Sequence, residues 1–313
     1  MAVSVLPSQG DCHRFLERQR DTRPHGHALV TQPAAVRALE DLKEAHNAFS
    51  SIGVDVGALH WWSYKGIMPI AVQLPTGKSS RAERRFQTDR SSLLFGKNVQ
   101  GVEDGPRNSW LWTGDGEYST DLVIAADGVL QPITNEKETI SQLAQGARLA
   151  PWLEPGTKHG VLGSDRFVFS RFVNNGILGV LFNDVDHAGS GPVDGNWNTP
   201  VDVDALRTRF SDFKVTTRAF LDHVQHAEKW QMATGPELDT WWSASGRVVL
   251  LGDAAHAMLP HAARGLSEGI EDAISLSHML RWATKSGVDR VDTPAVTDAW
   301  VNLPKPRVDI FMK

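Results

Sequence analysis

The chain has 313 residues, of which 41% are hydrophobic and 22% are charged, so it predicts an ordinary globular protein of one large domain or two. Its formal net charge of −5 gives no reason to expect nucleic acid or an anionic membrane as a partner, and the single Cys12 excludes an internal disulfide and a multi-cysteine metal site. No apolar run reaches the roughly 18 residues that cross a bilayer, and no signal peptide is recognisable, so we expect a cytoplasmic protein.

The amino-terminal part of the chain predicts a strand, a helix and then a β-meander. Residues 13–18 are typical of a strand that ends at an acid, and residues 33–42 carry apolar side chains at helical spacing behind a proline. From Val54 onward, short apolar segments alternate with glycines and prolines, which favours the turns of a meander. Residues 93–102 are expected to form one further strand, whereas the first ten residues show no strong pattern.

Two runs of aliphatic residues, 121–126 and 248–251, are expected to be strands buried on both faces. The first run leads into an Asp-Gly pair and the second into a Gly-Asp pair. The carboxyl ends of such strands are where α/β proteins place ligand contacts, and residues 266–282 behind the second run have helical spacing. The remaining predicted elements are strands at 166–173 and 177–182 and helices at 202–210, 217–226 and 293–301.

Three other patterns leave more than one interpretation open. The tryptophan pairs at 61–62 and 241–242 are compatible with aromatic-lined surfaces or with core packing, and core packing is the more common use. The basic run 81–90 is compatible with a solvated helix face or with phosphate contacts. His256 and His261 are five residues apart, which matches no usual helical pair of metal ligands, so we expect no metal site.

Three stretches are informative in combination. Residues 252–260 read G-D-A-A-H-A-M-L-P and are followed by a glycine-containing helix, residues 121–128 end in D-G, and residues 16–26 hold L-E-R, R-P and a glycine. Together they resemble the flavin-dependent aromatic hydroxylases, the FAD monooxygenase family that includes the salicylate and p-hydroxybenzoate hydroxylases. Order and spacing agree, and the resemblance extends from about residue 13 to about residue 309.

The resemblance implies an α/β fold of two domains. One would be an FAD-binding, Rossmann-like domain that is incomplete at its amino-terminal end. The other would be an inserted, mainly antiparallel β-sheet that binds the substrate. The implied boundaries are 1–56, 78–128 and 241–290 for the FAD-binding domain, 57–77 and 129–240 for the substrate domain, and 291–313 for a carboxyl-terminal helix.

On the nucleotide side, the resemblance implies a role for five residues. Glu17 would accept hydrogen bonds from the adenosine ribose, and Gly26 belongs to the loop behind it. Asp127 and Gly128 correspond to the family's pyrophosphate region, and Arg81 corresponds to an arginine that contacts FAD. The match around Arg81 is partial, because an arginine stands three residues later where the family has a leucine.

On the flavin side, the resemblance implies that Asp253 binds the ribityl chain and that Gly265 and Leu266 lie close to the isoalloxazine. A helix that begins there would direct its amino-terminal dipole at the flavin. No catalytic residue is assigned, because the cofactor carries the chemistry and the protein orients it and excludes water.

The family's opening motif is absent from its expected place. A Gly-x-Gly-x-x-Gly turn normally precedes the acid of the second strand by about 20 residues, and its amides meet the pyrophosphate. Here sixteen residues precede Glu17, and Gly10 is the only glycine among them. We therefore expect the first strand and helix of the FAD-binding domain to be missing.

Two functions remain open at this point. The first is an FAD-dependent monooxygenase that uses NADH or NADPH and dioxygen to hydroxylate an aromatic or polyketide-like small molecule. The second is a truncated or non-catalytic relative that binds FAD weakly or not at all. The Gly-Asp stretch favours the first, and the missing glycine-rich turn favours the second.

Overall fold

The computed structural model divides the chain into two compact units. The first comprises Met1–Pro24, Glu83–Leu130 and Met232–Lys313, and the second comprises His25–Ala82 and Gln131–Gln231. Within these units the structure describes residues 2–6, 13–18, 20, 29–40, 42–52, 54–65, 70–80, 91–126, 152, 154, 156–173, 177–184, 199–225, 227–229, 237–259, 263–285 and 292–312.

The elements confirm the predicted mixture of helices and strands. The strands are β1 (Ala2–Leu6), β2 (His13–Glu17), β3 (Leu29–Val30), β4 (Val54–Ser63), β5 (Ile70–Ser80), β6 (Ser91–Phe95), β7 (Val99–Glu103), β8 (Ser109–Thr113), β9 (Gly116–Thr120), β10 (Leu122–Ala126), β11 (Thr157–Leu162), β12 (Arg166–Val173), β13 (Ile177–Asp184), β14 (Thr199–Pro200), β15 (Glu228–Lys229) and β16 (Val248–Leu250). The helices are α1 (Pro33–Leu39), α2 (Lys43–Ile52), α3 (Val203–Arg209), α4 (Val215–Asp222), α5 (Asp253–His256), α6 (Gly265–Lys285), α7 (Thr293–Val301) and α8 (Lys305–Met312). Among the described residues, no helix combines the length and the apolar character that crossing a bilayer requires.

The first unit contains a sheet in the order β16-β10-β1-β2-β6. β10 and β16 are parallel, β2 and β6 are parallel, and β1 is antiparallel to both of its neighbours, since Val3 pairs with Leu16 of β2 and with Ala125 of β10. Four strands therefore run one way and β1 runs against them. The carboxyl ends of the four parallel strands form one edge of the sheet, and β1 begins at that edge.

β1 occupies a part of the chain for which the sequence predicted no element. Val3 and Val5 alternate with Ser4, but the stretch is only five residues long and Pro7 follows it. Such a short alternating segment is stabilised by pairing on both sides rather than by its own pattern. A strand therefore precedes β2, but it runs against its neighbours, unlike the first strand of the FAD-binding domain that we expected to be missing.

Two hydrophobic clusters form the core of the first unit. Leu16, Leu111 and Val123 are fully buried and join the five-stranded sheet to a second sheet, β7-β8-β9. Trp241 and Trp300 are the largest side chains of the other cluster, which packs β16 against α6, α7 and α8. Core packing is therefore what the structure shows for Trp241.

The second unit contains the six-stranded sheet β13-β12-β11-β4-β5-β3. All of its neighbouring strands are antiparallel except β4 and β11, so the predicted mainly antiparallel sheet is confirmed. Val161 and Val168 on one face pack with Phe210 and Phe220 around α3 and α4. That face of the sheet carries the core of the unit.

Several predicted elements differ from the structure in extent or in burial, among them the helix predicted over 217–226, which runs from Val215 to Asp222. Residues 93–102 form parts of two strands in different sheets, because Gly96 turns the chain between them at a φ of +71°. The helix predicted over 33–42 ends at Leu39, and a second helix begins at Lys43. β16 is three residues long, and two of them are only partly buried, so the strand is not enclosed on both faces.

Candidate functional site

The candidate site begins at the turn that follows β16. Gly252 has a φ of +55° and a ψ of −137°, a combination that only glycine adopts readily, and α5 starts at the next residue. Gly269 of α6 lies directly against it, since a Cβ on either glycine would be 3.6 Å from the Cα of the other. The two glycines let the turn and the long helix approach closely.

We expect Gly252→Ala to destabilise the chain and Gly269→Ala to leave it as stable or more so. The added methyl group meets the same neighbour at 3.6 Å in both variants, so space does not distinguish them. Only Gly252 has a positive φ, which costs an alanine about 1–3 kcal/mol, whereas alanine in a helix gains about 0.5–1 kcal/mol over glycine. Denaturant unfolding of the two variants side by side measures the difference, and equal stabilities would contradict the conformational argument.

A buried histidine–carboxylate pair holds this turn. His256 Nε2 lies 2.7 Å from Asp272 Oδ2, and the two side chains are 2% and 0% exposed. Because a carboxylate can only accept, the imidazole donates this hydrogen bond. The backbone N–H of Gly252 donates to the same oxygen at 3.1 Å, and the Trp241 ring packs on the imidazole at 4.9 Å between centroids. Asp272 therefore ties the turn, α5 and α6 together.

Asp253 does not share the burial of that pair. Its side chain is exposed, yet the protein atoms around the carboxylate remove part of its hydration and raise its pKa, while charge on His256 acts in the opposite direction. A Cβ at Gly265 would lie 3.3 Å from Asp253 Oδ1, so the absence of a side chain there leaves room beside the carboxylate. Gly265 is also the first residue of α6, and Leu266 next to it is partly buried.

A network of ion pairs between arginines and glutamates anchors the start of α6. Glu268 is fully buried and accepts from Arg264 at 2.6 Å and from Arg307 of α8 at 2.7 Å. Arg307 also reaches Glu271 at 2.8 Å, and the Arg264 guanidinium lies 3.9 Å from the centroid of the Phe311 ring. The sequence analysis identified none of these ion pairs. The four-residue spacing from Arg264 to Glu268 is the signal that points to one of these pairs.

The described site residues lie at the same edge of the five-stranded sheet. Glu17 ends β2 and is 4% exposed, and its carbonyl accepts from the Lys97 N–H at 2.8 Å. Asp253 follows β16, three strand positions away, which corresponds to roughly 14 Å. The predicted residues outside the described ranges are Gly26, Arg81, Asp127 and Gly128. Within those ranges, no group of His, Cys, Asp or Glu side chains is arranged to hold a metal ion.

Comparison with known proteins shows which enzymes the chain resembles. The FAD binding domain family matches residues 183–293 of the chain. Salicylate hydroxylase from Pseudomonas putida is 27% identical over 248 residues, which cover 68% of this chain and 55% of that protein. The 6-hydroxynicotinate 3-monooxygenase from Pseudomonas fluorescens is 28% identical over 204 residues, which cover 61% of this chain and 52% of that protein. The chain is therefore similar to enzymes named as FAD-dependent hydroxylases and monooxygenases.

Comparison with a solved structure confirms the predicted fold. The crystal structure of CtdE in complex with FAD and a substrate has a TM-score of 0.75 and 17% identity, covering 95% of this chain and 80% of that chain. At this identity the likeness concerns the fold. In sequence, the chain spans about half the length of each of the two aromatic hydroxylases named above.

The flavin half of an FAD molecule fits the residues at the Gly-Asp turn. Asp253 offers exposed acceptor oxygens, Gly265 leaves space beside them, and a helix of 21 residues begins at that point. Ribityl hydroxyls are donors that such a carboxylate would accept.

The nucleotide half does not fit the described residues equally well. A dinucleotide turn needs a strand that runs toward this edge of the sheet and then passes into a helix. β1 occupies the central position but runs the other way, so its carboxyl end lies at the opposite edge. The sequence also contains no Gly-x-Gly-x-x-Gly. β1 therefore does not lead into a turn whose backbone amides could bind a pyrophosphate at this edge of the sheet.

Proposed function

We propose that the chain is an FAD-dependent monooxygenase that hydroxylates a small aromatic or polyketide-like molecule in the cytoplasm. The observation that carries the proposal is the turn after β16, where Asp253 presents hydrogen-bond acceptors beside Gly265 at the start of α6. FAD, when bound, takes electrons from NADH or NADPH and uses them to activate dioxygen.

The residues of the chain would orient this cofactor. Asp253 would accept hydrogen bonds from ribityl hydroxyls, and Gly265 and Leu266 would lie against the ring system. The amino-terminal end of α6 favours negative charge on the flavin. Asp272 would position the site indirectly, since it holds the Gly252 amide and His256. On the nucleotide side, Glu17, Gly26, Arg81, Asp127 and Gly128 remain proposed contacts.

A second candidate is a relative that binds FAD weakly or not at all and has no hydroxylase activity. The reversed β1 supports this candidate, because it replaces the strand that would lead into a pyrophosphate-binding turn. The Gly-Asp turn is equally consistent with both candidates, so flavin uptake is the quantity that separates them.

The test is flavin binding followed by turnover. We expect the purified chain to bind added FAD, detected between about 350 and 500 nm, and to oxidise NADH or NADPH faster when an aromatic substrate is present. Asp253→Ala should weaken flavin binding about 10- to 100-fold, the effect of losing hydrogen bonds to a charged acceptor.

Asp239→Ala is the matched control, since Asp239 is another exposed aspartate of the same unit. Flavin affinity equal in both variants would show that the ribityl role is misplaced. A chain that takes up no flavin at all would leave only the second candidate.

A further inference from the structure

The three-stranded sheet of the first unit carries two exposed tryptophans on its outer face. Buried and exposed residues alternate along β8: Leu111 is fully buried in the core, whereas Trp110 and Trp112 are each 41% exposed. Residues two apart on a strand project from the same face and lie about 7 Å apart. The two indoles therefore stand side by side on the face of the sheet that is turned away from the core.

Each of these tryptophans has a glutamate as a cross-strand neighbour. Glu103 of β7 is the register partner of Trp110, and on the other side Glu117 of β9 pairs with the second tryptophan. Register partners share a face, with Cβ atoms about 5 Å apart, and both glutamates are exposed. Neither carboxylate has an ion pair or a hydrogen bond with another residue that the structure describes. The outer face therefore presents two Glu–Trp pairs, one on each side of β8.

The remaining register partners of the tryptophans are small. Gly101 of β7 is paired with Trp112, and a Cβ there would lie 3.9 Å from Cε3 of the indole, so the ring lies over the glycine. Ser119 of β9 is paired with Trp110 and is exposed. A small residue beside each tryptophan does not cover the ring, so the two indoles stay accessible from outside.

The chemistry of the two Glu–Trp pairs favours a cationic ligand. The face of an indole attracts a cation, and a carboxylate beside it supplies the opposite charge. A guanidinium group satisfies both at once, since it stacks on an aromatic ring and donates its planar fork to a carboxylate. An anion would be repelled by the glutamates, and a purely apolar partner would remove their hydration without replacing it. Charge complementarity therefore favours arginine.

We propose that this outer face docks an extended basic segment of a partner protein, with two arginines at alternate positions. Alternate residues of an extended segment point the same way and lie about 7 Å apart, which matches the spacing of the two indoles. One guanidinium lies on Trp110 beside Glu103. The other lies on Trp112 beside Glu117. None of these four residues is among the proposed flavin contacts, so the inference is independent of the proposed function.

The test is binding of a fluorescein-labelled pentapeptide whose second and fourth residues are arginine, followed by fluorescence anisotropy with the whole chain. We expect this peptide to bind more tightly than the same peptide with lysines. It should bind at least about tenfold more tightly than a peptide with citrulline, the uncharged counterpart of arginine. Adjacent arginines point to opposite sides of an extended segment, so a peptide with the two side by side should bind about threefold more weakly or worse.

Leucine variants separate the aromatic contribution from the apolar one. Trp110→Leu and Trp112→Leu keep an apolar side chain without a π system, and each should weaken binding of the arginine peptide about three- to tenfold. Trp282→Leu is the matched control, since Trp282 is an exposed tryptophan of the same unit, and it should leave the affinity unchanged.

Glutamine variants test the two charges. Glu103→Gln and Glu117→Gln should each weaken the arginine peptide about two- to fivefold, and the loss should shrink at high salt, which screens exposed ion pairs. Glu237→Gln is the matched control, since Glu237 is an exposed glutamate of the same unit. Flavin binding should be the same in all the variants of the outer face.

Several results would overturn this docking site. They are equal binding of the citrulline and arginine peptides, unchanged affinity in both leucine variants, or no binding of the arginine peptide up to about 1 mM. Displacement of the peptide by cellotetraose would assign the two tryptophans to a sugar instead. Self-association of the chain in sedimentation velocity, if both leucine variants abolished it, would assign the face to a second copy of the chain.

Discussion

Asp272→Ala is expected to destabilise the chain by about 3–5 kcal/mol, the cost of removing one partner from a buried polar pair. The variant leaves the His256 imidazole, which is 2% exposed, without its acceptor. It also removes the acceptor of the Gly252 N–H at the one position of the turn that needs a positive φ. Urea unfolding measures this loss, and Trp241 is a suitable fluorescent reporter because its ring packs on His256.

Two variants separate this effect from a general loss of charge. Asp272→Asn keeps an acceptor oxygen of the same shape, so it should lose clearly less stability than the alanine variant. Asp298→Ala removes an exposed aspartate from α7 and should change stability by no more than about 0.5 kcal/mol. If Asp272→Ala were as stable as Asp298→Ala, the buried pair would not be what holds the turn.

The sequence predicted the elements whose pattern is local and strong. The hairpin partners β12 and β13 start at Arg166 and Ile177 as expected, and α7 covers the predicted 293–301. A period of two or of 3.6 residues reports which faces are apolar, and these segments are long enough to show it. The Gly-Asp stretch was recognisable for another reason. Gly252 has a positive φ, which few residues other than glycine adopt readily.

The direction of β1 could not be predicted in the same way. An alternating segment such as Ala2–Leu6 has the same pattern whichever way it runs, and its direction is decided by pairing with β2 and β10, which are distant in sequence. The partners of buried charged residues could not be predicted from the sequence for a similar reason. Asp272 and Lys158 are single charged residues in the sequence, and only the fold shows that the first faces His256 and the second faces Arg171.

The reversed β1 leads to the second large prediction, which concerns the choice of flavin. We expect FAD to bind this chain no more than about tenfold more tightly than riboflavin, which leaves about 1.4 kcal/mol for the proposed nucleotide-side contacts such as Glu17. In a complete dinucleotide site, two or three amide hydrogen bonds to charged phosphates, at about 1.5–3 kcal/mol each, would favour FAD by a factor of at least about 10² to 10³. Here the contacts at Asp253 and Gly265 serve the ribityl and ring portions, which the two flavins share.

Titrations of riboflavin, FMN and FAD into the chain, followed by quenching of flavin fluorescence, measure this ratio directly. ADP is the informative competitor, because it carries the pyrophosphate and the adenosine without the ring system. Similar affinities for the three flavins, with no competition by ADP, would locate the binding energy at the turn after β16. A 10³-fold preference for FAD together with strong competition by ADP would instead require amide donors that β1, with its carboxyl end at the opposite edge of the sheet, does not provide.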